Sequence, residues 1–437
     1  MHHPVGNMVA LHHFPTSHGK QKPIFSCKFH HAWLLGRYSH LPEAGLDPAA
    51  NYVIEWPGKI QAVMNFRIHR AHHISDFPER EWDALTQGHP LLSHAYLHAL
   101  ESSGSACAIT GWEPAHLAVV RGGAIRAAMP LYKKTHSMGE YVFDQAWAHA
   151  YARYGMSYYP KLVCAVPFTP VPGPRLLALD HNDRLLLIEA AKRLASHQGC
   201  SSLHVLFPHE EDHHALRQSG LMFRGNVQFH WLNAGYATFG DFLSALTASK
   251  RKKLRQERRR VLEAGISFQW LEGSDIDEAT LRFLYLCYVR TYHAHGHRPH
   301  LNLDFFERLH SRLASHMVIV LASMGNTPIA AALNLRHDKR LFGRYWGAIE
   351  FVPGLHFETC YLQGIEYCIS HGLKYFEGGA QGEHKLARGM MPVATWSAHW
   401  VEDPVFAPAV SDFLKRETSL LAEYMAELEA HSPYRTD

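Results

Sequence analysis

The sequence predicts a mixed α/β fold in two repeated halves, each a mixed twisted sheet flanked by helices. Three observations carry that expectation. Helical and strand periods alternate from residue 64 onward. The order hairpin, helix, glycine, strand occurs twice. The chain has 437 residues, and at roughly 100–200 residues per domain that length favours two domains. The expected units are 64–235 and 236–425, with a tail over 426–437.

Residues 1–63 hold paired histidines (His2-His3, His12-His13, His30-His31) and scattered prolines without a sustained period. They read as a disordered leader, or as an extension upstream of a start at Met64. A His-rich metal-binding tail is the weaker reading, because the paired histidines lack the spaced second pair that a site needs.

In the first half, 115–134 is two short apolar runs around Gly122-Gly123, the pattern of a hairpin. Segment 184–199 sets Leu187, Ala191 and Leu194 on one helix face, stops at Gly199 and leads into a strand. The second half repeats this. A hairpin over 316–338 turns at Gly325 and a strand follows over 341–350. A helix over 358–372 aligns Tyr361, Ile365, Cys368 and Ile369, stops at Gly372 and leads into LKYFEGG. Arg224-Gly225 and Arg388-Gly389 are each expected to precede an aromatic-rich strand. Between the halves, 238–265 reads as one helix, with Phe239, Phe242, Leu243 and Leu246 at i, i+3, i+4 and i+7. A helix over 279–296 follows.

Composition narrows the class. Hydrophobic residues make up 47% of the chain, ample for a core, and the net charge of +3 does not imply a nucleic-acid partner. The seven cysteines are odd in number and form no C-x-x-C pair, which fits a reducing cytoplasm. No run of about 18 apolar residues occurs, so no transmembrane helix is expected. Neither a G-x-S-x-G elbow nor a Walker A loop is present. His293, His295, His297 and His300 have loop spacing around Gly296 and Pro299, and no metal site is expected there.

The densest chemistry lies in 377–389. This glycine-rich segment follows a predicted strand, so it sits where ligands gather in open α/β sheets. Glu377, Glu383 and His384 are its candidate proton carriers, and a polar surface loop is the alternative. On the strand before it, Arg344 and Trp346, with Glu350, alternate onto one face and Tyr345 onto the other. An arginine in an apolar strand needs a partner, which is either a ligand or Glu350 or Glu377. His356 and Glu358 open the next helix, where an anionic group is favoured, and Tyr361 completes this binding set. In the first half, Glu140, Asp144, Trp147, Arg153, Tyr158, Tyr159 and Lys161 form a polar-aromatic cluster without a period. It suits a binding wall, or a packed connection with satisfied polar groups. The run 250–260 holds eight basic residues against Glu257. It could meet the phosphates of a tRNA acceptor stem, or be a solvated helix.

Segments 137–162, 167–175, 342–350, 355–369 and 376–392 together resemble a bacterial FemAB-like family of peptidoglycan biosynthesis and recognition proteins, a branch of the GNAT superfamily. The resemblance spans roughly 66–420. It implies two tandem GNAT-like domains and an acyltransferase that moves an acyl or aminoacyl group to an amine in a cleft between them. Acyl-CoA or aminoacyl-tRNA would be a co-substrate, and no tightly bound cofactor is implied. It further implies that Lys385 stabilises a negative acyl intermediate or a donor phosphate, that Arg388 supports it, and that the first-half cluster faces the same site. The sequence departs from classical GNAT enzymes at 351–356, where a single glycine replaces the R/Q-x-x-G-x-G/A loop. The alternative is a non-catalytic ligand- or RNA-binding protein that keeps the fold.

Overall fold

The computed structural model describes residues 66–380 and 382–435. The expectations for 1–63 lie outside the described residues. In chain order the strands and helices are β1 (Arg67–Ala71), α1 (Glu79–Leu85), α2 (His94–Ser102), β2 (Trp112–Pro114), β3 (His116–Arg121), β4 (Ala124–Met129), β5 (Leu131–Lys134), α3 (Gln145–Arg153), β6 (Lys161–Cys164), β7 (Leu177–Ala178), α4 (His181–His197), β8 (Ser202–Leu206), α5 (Glu210–Gln218) and β9 (Met222–Leu232). The second half follows with α6 (Phe239–Ala245), α7 (Ala248–Glu263), β10 (Ile266–Glu272), α8 (Glu278–Ala294), α9 (Leu303–Leu313), β11 (Met317–Met324), β12 (Thr327–His337), β13 (Arg340–Ala348), α10 (Leu355–Phe357), α11 (Gln363–Ser370), β14 (Tyr375–Ala380), β15 (Met391–Val401) and α12 (Phe406–Ala430).

The architecture is mixed α/β. A small sheet has the order β1-β3-β4-β7, and an eleven-stranded sheet has the order β10-β11-β12-β13-β14-β9-β15-β8-β6-β5-β2. Each hairpin turns where the glycines were placed. Helix α4 starts on Asp180, whose side chain accepts from the backbone N–H of Asn182 and Asp183. Gly199 and Gly372 both follow their helices with φ of 61°, a left-handed conformation that costs glycine nothing.

The sheet order shows a strand exchange that closes the two halves on each other. In each half a helix, a glycine and a strand follow in sequence, and that strand runs parallel to an earlier one: β8 with β6, β14 with β13. The last strand of each half then crosses over. Strand β9 pairs with β14 of the second half, and β15 pairs with β8 of the first. The two exchanged strands pair antiparallel with one another along their length. A shared core joins Trp82, Tyr96 and Trp112 to Phe305, Ile319 and Phe342.

Three local expectations change. The helix expected over 238–265 is two helices. Leu246 between them is extended and fully buried, it bridges to Tyr434, and the backbone N–H of Thr247 donates to the carbonyl of Pro433. A tertiary contact thus breaks a helical period. Arg224-Gly225 lies inside β9, not ahead of it. Of the segment expected as a tail, 426–430 continue α12 and the rest packs back: Leu428 is buried and the Tyr434 hydroxyl donates to the carbonyl of Gly389 at 2.7 Å.

Candidate active site

Strands β13 and β14 pair over only three residues, Arg340–Phe342 against Tyr375–Glu377. Beyond that the ladder stops, although β13 runs on to Ala348 and β14 to Ala380. On its other side β14 pairs with β9 through Glu377 and again at Ala380, with an irregularity between. Gly378 and Gly379 make that bulge. A Cβ on Gly378 would stand 2.6 Å from Met390 Cε, and Gly379 has φ of 78°. The carbonyls freed at the bulge are taken by a lysine. Lys385, on the 3-10 turn Glu383–Arg388, is 2% exposed, and its Nζ donates to the carbonyls of Gly379 at 3.0 Å and Ala380 at 3.2 Å. An ammonium has three protons, so one remains for a ligand. Burial pulls the Lys385 pKa down to about 7.

Glu377 is buried on β14. Arg340 Nη1 donates to its Oε1 at 3.0 Å, while Oε2 has no hydrogen-bond partner among the described residues. Burial pushes its carboxyl up to about 7, with Arg340 opposing the shift. Directly across the β9 ladder stands His230, whose side chain therefore shares the face of Glu377. The amide of Gln228 donates to the carbonyl of Pro170 at 2.7 Å, so its oxygen receives the Nε2 proton of His230 at 3.1 Å. That fixes the neutral tautomer and leaves the lone pair on Nδ1. Burial, with Arg340 and Lys385 nearby, lowers the His230 pKa to about 3. Sequence inspection missed His230. Its signal was the alternation of Gln228 and His230 with Phe229 and Trp231 along one strand.

A second group forms on the helical side. Tyr361 OH and His384 Nε2 are 3.3 Å apart, and the His356 ring lies 4.7 Å from Trp346 and 6.3 Å from His384. Burial, with cationic neighbours, lowers both His356 and His384 to about 4. Arg388 donates to the carbonyl of His384 and to Glu257, and its guanidinium lies 3.6 Å from the Phe357 ring centroid. The chain between α10 and α11 is a π-helical turn, Glu358–Leu362, which displaces the carbonyl register beside Lys385.

The other expected residues go elsewhere. Glu383 is exposed and accepts from the Tyr424 hydroxyl. Glu350 is exposed and Arg153 ends α3 on the surface. Arg344 finds its partners in Phe168 O at 2.7 Å, Thr169 Oγ1 at 2.9 Å and the hydroxyl of Tyr345 at 3.1 Å, so neither expected acid pairs with it. With Gln228 it straps the proline-rich segment 167–173 over this face.

The first-half cluster is a buried network, not a wall open to ligand. Lys161 Nζ donates to Asp144 Oδ2, to Glu140 Oε2 at 2.7 Å and to Ser137 Oγ at 2.9 Å, and Lys161 is fully buried. Tyr158 donates to Asp144 at 2.6 Å and stands 3.1 Å from His204 Nε2. His204 and His399 meet through their Nδ1 atoms at 2.6 Å, and His399 Nε2 is 2.8 Å from Ser397 Oγ. Trp147 packs beside both histidine rings. Because Tyr158 gives its proton to Asp144, the Nε2 proton of His204 is donated toward Tyr158 or Ser202, and His399 donates to His204. Both imidazoles are neutral, and burial lowers both pKa values, that of His204 to about 3.

A family model described as peptidoglycan biosynthesis/recognition matches residues 73–436. The chain belongs to the FemAB-like family. No curated protein matches the chain. Among solved structures it is similar to FemX, with a TM-score of 0.48 and 12% identity over 77% of this chain and 98% of that one. The C-terminal domain of a putative lysylphosphatidylglycerol synthetase from Agrobacterium fabrum gives 0.46 and 10% over 77% and 95%. A tandem GNAT protein from the clavulanic acid biosynthesis pathway gives 0.41 and 11% over 78% and 99%. No helix among the described residues is long and apolar enough to cross a membrane.

Proposed function

We propose that the chain is an acyltransferase that moves an acyl or aminoacyl group onto an amine, at the place where β13 and β14 part. One observation carries the reading. Two buried groups of opposite type, Lys385 and Glu377, stand at one glycine bulge where burial brings the pKa of each to about 7, and His230 faces Glu377 across the ladder. Groups poised near neutrality suit proton transfer.

The free amine attacks the acyl carbonyl. Its proton passes to Glu377 Oε2 or His230 Nδ1, the two unused acceptors on that face. Lys385, when protonated, turns its third N–H to the oxyanion, which forms in a dry site where such a donor is worth most. Collapse of the tetrahedral intermediate breaks the bond to the donor's thioester sulfur or ribose oxygen, which leaves as the thiol or hydroxyl with the proton that Glu377 or His230 took up, and leaves the amide. Arg388 supplies a cation, and the neutral His356 and His384 supply ring N–H donors, for a donor phosphate, which both an acyl-CoA and an aminoacyl-tRNA carry.

The test is a thermal-shift screen of the full chain against acetyl-CoA, longer acyl-CoAs, charged tRNA and a UDP-linked peptidoglycan precursor, followed by transfer assays with each stabilising pair. A ligand at about 100 times its dissociation constant adds about 2.7 kcal/mol. Transfer that Lys385→Ala and Glu377→Gln abolish supports the reading. Stabilisation by a ligand with no transfer from any donor would make the chain a binding protein and overturn it.

A further inference from the structure

Away from this site, α6 and α7 enclose a surface groove that the reaction does not use. Phe239 and Leu243 of α6 and Leu254 and Leu262 of α7 line it, and Arg255, Arg258 and Arg259 complete the wall. Leu243 and Leu254 are buried at its floor, whereas Leu262 is 52% exposed at its edge. Along α7, Lys252, Arg255, Arg259 and Leu262 fall on one stripe at helical spacing, and all four are exposed. Lys253 and Arg260 widen the positive face. The nearest acids do little to neutralise it. Glu257 reaches Arg388, and the Arg259–Glu263 pair is exposed to solvent on both sides.

We propose that α6 and α7 dock this protein peripherally on an anionic phospholipid surface. Lipid phosphates meet the stripe of Lys252, Arg255 and Arg259, while lipid carbon enters the groove beside Leu262. An exposed leucine set among basic side chains over an apolar trough is the pattern of a helix that lies in a membrane interface. Nucleic acid would use the same charges but gains nothing from an apolar floor. Its bases would want an open aromatic, and the aromatic lining this groove, Phe239, already carries the Arg258 guanidinium 4.5 Å from its centroid. The inner face of α7 reaches the residues around the candidate site, through Arg258 to Glu358 at 3.3 Å and Glu257 to Arg388 at 3.1 Å. Docking would therefore set the site beside the lipid surface. The docking claim does not depend on acyl transfer, and its test reads binding alone.

The experiment is co-sedimentation of the full chain with vesicles of phosphatidylcholine, with and without phosphatidylserine, across a salt series. The expected result is binding to the anionic vesicles only, weakening as salt rises. Replacing Lys252, Arg255 and Arg259 together by Gln should weaken partition on the order of 100-fold. Leu262→Ser, at an exposed position that folding tolerates, should weaken it several-fold without changing the salt dependence. Absence of wild-type binding to anionic vesicles overturns the proposal. So does a Leu262→Ser protein that binds like wild type while uncharged tRNA displaces the vesicles, since the stripe would then be a general polyanion site.

Discussion

His204 stands five residues beyond Gly199, and Glu377 stands five beyond Gly372. Each lies on a strand that follows a helix, each runs parallel to an earlier strand, and each faces a histidine on an exchanged strand: His399 for His204, His230 for Glu377. The parallel neighbour supplies a cation in both places, Lys161 in the first half and Arg340 in the second. What separates them is the ladder. Strands β8 and β15 pair without interruption over five residues, so the polar groups between them must satisfy one another. Most do so through a run from Ser397 through both histidines and Tyr158 to Asp144 and Lys161, and the one oxygen each of Glu140 and Asp144 that stays unpaired belongs to a carboxylate already bound to Lys161. Strands β14 and β9 are parted by the Gly378–Gly379 bulge, and there a carboxylate oxygen, an imidazole lone pair and an ammonium proton are left without protein partners. One scaffold position thus yields a buried polar network around Lys161 in one half and a bulged ladder with Glu377 Oε2 and His230 Nδ1 unpaired in the other.

The largest expected effect tests the closed side. Lys161→Met leaves Asp144 and Glu140 buried without their cation, and breaking such a pair costs about 3–5 kcal/mol. Denaturant melts should show that loss. Stability equal to wild type would mean that the network is not structural. The matching change in the open site should do the reverse. Lys385→Met removes an ammonium that burial already disfavours, so melting should stay level or rise, while turnover falls by about 10²-fold or more. A Lys385→Met protein that unfolds would place Lys385 with Lys161 as a structural group.

Titration sharpens the contrast. The folded pKa of Glu377 lies above its unfolded value, moving from 4.5 to about 7. The folded state therefore holds the extra proton between those values, and this group's contribution to stability falls as pH rises through them. Glu377→Gln should relieve a cost of up to about 3 kcal/mol at about pH 8 and little at about pH 5. Any residual kcat/KM should lack the acid limb near pH 7 that Glu377 gives, and a rate profile that keeps that limb would exclude Glu377 as its source. His204 moves the other way. Its folded pKa, about 3, lies below its ordinary value of 6.5. The unfolded chain gains the proton first, so stability drops as pH falls below about 6.5. His204→Gln should flatten that acid slope while leaving the rate profile unchanged. The smallest effect is expected at Glu383, which is exposed and turned toward Tyr424. Glu383→Ala should change stability by less than about 1 kcal/mol and turnover little. A loss as large as that of Lys385→Met would return Glu383 to the chemistry.

Local order was legible because it rests on neighbours in the chain. The glycine turns and the stops at Gly199 and Gly372 follow from backbone freedom and side-chain period, whereas the segment expected to follow a strand, 377–389, begins inside it, since β14 runs to Ala380. His230 was hidden because a histidine on an aromatic strand looks like core until the strand across from it is known. The Glu140, Asp144 and Lys161 cluster carried two readings, and only packing separated them. No local rule foretold the break at Leu246, since it arises from a bridge to Tyr434.

The sequence by itself determined the mixed α/β class, the repeated order of elements and the glycine-rich run at 378–382, because periodicity and backbone freedom are set within a few residues. Only the tertiary structure decided which of the two matching strands would be closed and which left open. That choice depends on the ladder to the exchanged strand, continuous beside β8 and broken at Gly378–Gly379 beside β14, and burial, not residue type, then brings Lys385 and Glu377 toward neutrality while locking Lys161 into its ion pairs.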